Sequence, residues 1–149
     1  MRAVVQRVSR ARVRVGDECV AEMAGGLLAL VGVAQGDDEA SADELARKLV
    51  GLRVFEDDAG RLNRSLLDCG LALGVVSQFT LLGDVRKGRR PSFGAAADPE
   101  QAEPLLTRLV EQVRVQGVTV VTGRFRAHME VELVNDGPVT LLIDTARRF

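Results

Sequence analysis

Tryptophan and tyrosine are absent from this 149-residue chain, and histidine occurs once, at position 128. A lone histidine excludes a two-histidine metal site. It also leaves any hydroxyl nucleophile with at most one imidazole base. His128 stands beside charged and small neighbours with no evident orienting partner, so a surface or core role is expected for it. The two cysteines, Cys19 and Cys69, have neither CxxC nor zinc spacing. They are expected to be reduced, as in a cytoplasmic protein. No apolar run approaches the roughly 20 residues of a membrane span. Charge interrupts Met1 to Val8 too often for a signal peptide. Twenty Lys and Arg stand against 21 Asp and Glu, a net charge of -1. There is thus no global basic field, and any RNA contact must use a local patch. Neither a membrane nor a DNA partner is expected. Walker-type and dinucleotide-type glycine loops are missing, so no cofactor and no metal is expected.

What is present is ordinary for a globular chain: 46% hydrophobic and 28% charged residues. The length suits one domain over residues 1–149. Its core must come from Val, Leu, Ala and five Phe. Ala3 to Val8 is rich in strand formers, and Arg12 to Val15 alternates as a half-buried strand does. Gly16-Asp17 reads as a turn, with Glu18 to Met23 returning as the hairpin partner. The apolar run from Leu27 to Val33, interrupted by Gly32, predicts a central strand covered on both faces. Ser41-Ala42-Asp43-Glu44 has the pattern of a capping box and predicts a helix from Ser41 to Arg53, with Asp43–Arg47 and Glu44–Lys48 pairs outside. Val54 to Glu56 predicts a short strand, and Leu71 to Val76 a buried one. Gly83 to Gly94 lacks periodicity and reads as a loop. Asp98 and Pro99 open a second helix whose apolar stripe is Leu105, Leu106, Leu109, Val110 and Val113, with Gly117 as its stop. Val118 to Thr122, His128 to Val134 and Val139 to Asp144 predict the remaining strands. The expected fold is α+β: a mixed, mainly antiparallel sheet curling toward a barrel, with two main helices.

Three segments stand out. Ser77-Gln78-Phe79-Thr80-Leu81 ends a buried strand with polar side chains, and backbone N–H groups there could hold an ester oxyanion. Thr80 could orient water or substrate, but without a base it is a poor nucleophile. Its plain alternative is a strand end. Asn135-Asp136-Gly137-Pro138-Val139-Thr140 reads as a hairpin turn between two apolar strands. Should Gly137–Pro138 be cis, two carbonyls would face one side and suit an α-ammonium group; the sequence does not give the isomer. Arg86-Lys87-Gly88-Arg89-Arg90 carries four cations that could meet phosphates, or form a solvated loop. Arg147-Arg148 is a weaker version of the same signal.

Taken in order, these segments and the opening Met1 to Val8 resemble the D-aminoacyl-tRNA deacylase family over nearly the whole chain. Ser77 to Leu81 is similar to its active-site motif, and Asn135 to Thr140 to its Gly–cisPro motif. Arg86 to Phe93 is similar to its basic loop. The resemblance implies hydrolysis of the ester between a D-amino acid and the 3′ end of tRNA, with Ser77, Gln78, Phe79 and Thr80 as catalytic segment. Amides near Gln78 and Phe79 would hold the oxyanion, with help from the terminal ribose 2′-hydroxyl. It implies a homodimer whose active site takes Gly137 and Pro138 from the partner subunit. Arg7 would hold the partner's turn, and Met129 and Asn135 would support the site. Arg86, Lys87, Arg89 and Arg90 would bind tRNA. The family usually carries Gly-Ala-Asp-Met where this chain has Arg126-Ala127-His128-Met129. The competing readings are a non-catalytic RNA-binding module, a related deacylase for mischarged L-residues, and a purely structural dimer.

Overall fold

A computed structural model describes residues 1–149. Its centre is β1 (Arg2–Val15), long enough to serve three partners. On one edge it pairs antiparallel with β2 (Glu18–Met23) through its second half and with β3 (Gly26–Gly32) through its first. On the other edge it pairs antiparallel with β8 (Glu130–Asp144) along almost its whole length. From β3 the sheet continues in parallel through β6 (Ala72–Ser77) to β7 (Val120–Thr122). Three antiparallel and two parallel pairings give the mixed, mainly antiparallel sheet that the sequence predicts. Antiparallel neighbours need only short turns, whereas each parallel step is crossed by a helix. Two main helices and one short one carry the connections.

The two main helices lie on one face of the sheet. α1 (Glu39–Gly51) and α3 (Pro99–Val115) bury Leu45, Leu49, Leu106, Leu109 and Val113 in a core of 26 residues against Leu27, Ala29, Val31 and Leu73. The continuous Leu27 to Val33 run is central as expected, because helices cover one face. The other face curls over a second core of Val8, Ala11, Val13, Ala21, Met23, Leu28 and Val76. That second cluster is why both faces of β3 must be apolar, and it makes the sheet barrel-like.

Several boundaries differ from expectation. α1 begins at Glu39, since Asp38 is its N-cap and accepts from the Ser41 amide at 2.9 Å. The capping box is therefore Asp38 with Ser41, not Ser41 with Glu44, and the helix ends at Gly51. Asp43 does not pair with Arg47. It binds Arg108 of α3 through two bonds of 2.8 Å, which clamp the two helices and hold its carboxyl below the usual range. Glu44–Lys48 does form. A four-residue helix, α2 (Leu66–Cys69), was not legible as a helix. Ser65 and Asp68 cap its start, and Gly70 ends it at φ 62°. Two small strands, β4 (Phe55–Glu56) and β5 (Leu62–Arg64), form a hairpin beside it. No helix is long and apolar enough to cross a membrane.

The largest correction concerns Asn135 to Thr140. It is not a hairpin turn, because β8 is one strand that keeps its direction. Gln6 faces Thr140 and Val8 faces Asn135, so a single residue of β1, Arg7, opposes the four residues 136–139. The surplus backbone must leave the sheet plane as a bulge. The apolar segments on either side are halves of the same strand, and His128 and Met129 precede it. The Gly137–Pro138 bond in the bulge is cis.

Candidate active site

β6 delivers Ser77 to the end of the sheet, where Gln78 breaks from it and a 3₁₀ turn begins at Phe79 (Phe79–Leu82). The turn packs on the end of β3. A Cβ at Gly32 would lie 2.9 Å from the Gln78 carbonyl oxygen and 2.5 Å from Leu82 Cδ2, so only glycine admits this approach. Arg2 fixes the turn from its far end, with its guanidinium donating to the Leu81 carbonyl at 2.8 Å and also to Asp144. Sequence reasoning missed both Gly32 and Arg2. Gly32 shows in the sequence only as a break in an apolar run and Arg2 as an ordinary strand residue; the role of each exists only where the 3₁₀ turn passes over it.

The start of a helical turn leaves N–H groups without intrahelical acceptors. Here the amides of Phe79 and Thr80 donate to no backbone or side-chain group, while the Gln78 amide donates to Val31 at 2.8 Å. Of the two amides that the resemblance implies for an oxyanion, the one of Gln78 is therefore already engaged. Gln78 spends its N–H on the sheet, and the free pair is Phe79 and Thr80. Both residues line a cavity of about 500 Å³, together with Ser77, Gln78, Val33, Ala97, Pro99 and Ala102. The rest of the lining, Phe125, Arg126, Ala127 and Met129, comes from the segment between β7 and β8. Volume and mixed lining are those of a small-molecule site.

His128 is exposed and is not among the lining residues. A base must come within hydrogen-bond reach of the proton it takes. His128→Ala is expected to leave kcat/KM within about twofold of wild type, as for a surface substitution. A folded His128→Ala protein with no activity would contradict this.

Arg7 is buried, and its guanidinium bridges two carbonyls of its own chain. Nη1 donates to Val54 at 2.6 Å and Nε to Asp136 at 3.1 Å. Arg7 thus grips the bulge of its own chain. Asn135 closes the base of the bulge, with Nδ2 donating to Thr140 Oγ1 at 3.1 Å and Oδ1 accepting from the Val139 amide. Gly137 has φ 123°, and a Cβ there would come within 2.8 Å of Arg7 Nη2. None of residues 135–140 lines the cavity of the same chain. The two motifs that the sequence puts foremost are therefore apart within the chain.

The basic loop leaves the cavity rim. Asp84 and Ser92 exchange two backbone bonds at its neck, of 2.8 and 2.9 Å, so Arg86 to Arg90 stand out exposed. Arg86 is not free. Its side chain makes two bonds to Asp84, which hold that carboxyl down to about 2. Lys87, Arg89 and Arg90 make no hydrogen bond or ion pair within the chain. Phe93 anchors the loop edge-on to Phe79, at 5.1 Å between rings.

The cavity wall thus carries the free amides of Phe79 and Thr80, backbone donors of the kind that can hold a developing negative charge. The family model described as D-Tyr-tRNA(Tyr) deacylase matches residues 4–144. A D-aminoacyl-tRNA deacylase of Symbiobacterium thermophilum is 62% identical, covering 100% of this chain and 99% of that protein. One from Sorangium cellulosum is 55% identical, with 100% of each chain covered. A solved structure described as c-Myc DNA unwinding element binding protein superposes with TM-score 0.92 at 39% identity, covering 97% of this chain and 99% of that one. The chain belongs to the D-Tyr-tRNA(Tyr) deacylase family.

Proposed function

We propose that the protein hydrolyses the ester between a D-amino acid and the 3′ end of tRNA, in the cytoplasm, removing D-residues before translation and releasing the tRNA for reuse. Family membership across residues 4–144 supports a carboxylic ester hydrolase acting on aminoacyl-tRNA. The observation that carries the mechanism is the pair of unpartnered amides, Phe79 and Thr80, at the wall of the cavity. An ester carbonyl gains negative charge as water attacks it, and preorganised N–H groups stabilise that charge without reorganising. The substrate's own ribose 2′-hydroxyl supplies the assistance that a protein base would otherwise give. Thr80 positions the ester or the water. Ser77 and Gln78 complete the wall.

The active protein is a homodimer in this reading. The bulge bearing Gly137 and Pro138 lies outside its own chain's cavity, so a site that uses both needs a second subunit. The bulge of one chain enters the cavity of the other, and its carbonyls accept the substrate's α-ammonium. With ammonium and ester both held, the remaining directions at Cα are set. A D-side chain points out of the pocket, and an L-side chain meets the wall or forfeits a hydrogen bond. Leaving one buried partner unpaired costs on the order of 1–3 kcal/mol, and a clash adds to it. Selection thus works by rejecting L, not by reading the side chain. Glycine, with nothing to clash, passes the filter. Lys87, Arg89 and Arg90 approach the tRNA backbone, with Arg86 held back by Asp84.

The test is ester loss from D-tyrosyl-, L-tyrosyl- and glycyl-tRNA. The D- and glycyl esters are expected to be lost rapidly and the L-ester to persist. Inert glycyl-tRNA would overturn rejection as the filter. If no ester is cleaved by a folded dimer, the basic loop serves RNA binding alone.

A further inference from the structure

Arg126 is a residue that the proposed reaction leaves unused. It lines the cavity, is exposed, and makes no hydrogen bond or ion pair with any group of the chain. Its neighbours differ: Arg124 pairs with Glu18 at 3.0 Å, and Arg114 donates to the Val120 carbonyl. Arg126 also holds an unusual backbone. The turn from Arg124 to Ala127 closes through the Ala127 amide on the Arg124 carbonyl, and Arg126, third in that turn, has φ 63°. That left-handed position favours glycine. An L-residue with a long side chain carries a steric penalty there that glycine avoids. Strained residues of this kind cluster where they serve a site.

The chemistry of the substrate limits what the guanidinium can meet. This step rests on the proposed function. In an aminoacyl-tRNA the amino-acid carboxylate is esterified and neutral, and the α-amino group is a cation that would repel arginine. The nearest anion to the scissile ester is the phosphodiester that joins the terminal nucleoside to the rest of the strand. A planar guanidinium suits phosphate oxygens through paired N–H donors. We propose that Arg126 binds this terminal phosphodiester, seating the tRNA end in the cavity so that the ester reaches the Phe79 and Thr80 amides. It is a binding residue, distinct from the exposed cations of the 86–90 loop, because it belongs to the cavity wall itself.

The experiment compares two substrates that differ only in phosphate: D-tyrosyl-tRNA, and the D-tyrosyl ester of free adenosine. Wild type, R126G, R126Q and R126K are assayed on both. R126G relieves the turn while removing the cation, which guards against misfolding as the cause. For the tRNA substrate, R126G and R126Q are expected to raise KM roughly tenfold with kcat little changed. R126K should retain part of the affinity. The slope of log kcat/KM against log salt should shallow by about 0.7 for one lost contact to a single strand. The adenosine ester should be cleaved equally by all four proteins. Equal effects on both substrates, or none on either, would overturn the contact while leaving the deacylase reading intact. A wild-type protein that cleaves neither ester overturns both.

Discussion

Replacing Arg7 by alanine is expected to destabilise the protein by about 2–3 kcal/mol and to remove most of its deacylase activity. The stability loss follows from burial. Arg7 is 8% exposed, and its two strong bonds reach the carbonyls of Val54 and Asp136. Truncation leaves the Val54 carbonyl, in a residue that is itself buried, without its partner. For a chain of this length the loss corresponds to a fall in Tm of roughly 5–10 °C. The activity loss follows from the bulge. Four residues, 136–139, oppose Arg7 alone, and nothing in the β ladder holds them. Without the guanidinium the carbonyls of Gly137 and Pro138 lose their fixed position, and a displacement of about 1 Å can cost 10²-fold in rate. Arg7→Lys should recover part of the stability and little of the activity, since an ammonium cannot reproduce the planar fork. Thermal melts and kcat/KM on D-tyrosyl-tRNA check both halves. Wild-type kcat/KM in a folded Arg7→Ala protein would show that the bulge holds itself.

Gly32→Ala is expected to damage the opposite half of the site. The new methyl would sit 2.9 Å from the Gln78 carbonyl oxygen, 3.3 Å from Leu81 Cβ and 2.5 Å from Leu82 Cδ2. Leu82 is itself buried, so the side chain has little room to withdraw. The backbone yields instead, and the 3₁₀ turn carrying the Phe79 and Thr80 amides rides up from β3. Overpacking of this kind costs about 1–3 kcal/mol, and the misplaced amides about 10²-fold in kcat. Substrate contacts away from the amides remain, so KM should change less than kcat. An unchanged kcat would place the oxyanion site elsewhere.

The two variants together also test the proposed sharing of the site between two chains. In a dimer that combines one chain's cavity with the other's bulge, mixing Arg7→Ala with Gly32→Ala leaves one intact site in each heterodimer. Random pairing should then restore roughly a quarter of wild-type activity. Activity no higher than that of either parent would argue for sites contained in single chains.

The sequence carried its reading furthest where a residue's role depends on near neighbours. Periodicity located α3 and its stripe of Leu105, Leu106, Leu109, Val110 and Val113, all buried. The Leu27 to Val33 run, broken only by Gly32, announced a strand covered twice. Motif order from Met1 to Thr140 indicated the family. It failed where two patterns share one local signature. Asp136-Gly137 between apolar runs is what a hairpin looks like, and only the pairing of both runs with β1 makes the segment a bulge. Ser41 has the look of an N-cap, yet Asp38, three residues earlier, takes the Ser41 amide first.

By itself, then, the sequence determined the class of fold, the family, and the segments that matter, because hydrophobic period, turn chemistry and motif are properties of consecutive residues. Only the tertiary structure decided which amides are free, that Arg7 grips its own bulge, that Gly32 and Arg2 seat the 3₁₀ turn, and that Arg126 lines the cavity unpaired. Those facts rest on contacts between residues distant along the chain, from 46 positions in Gly32–Gln78 to 129 in Arg7–Asp136. A hydrogen-bond acceptor brought close by folding leaves no mark on the residues around the donor.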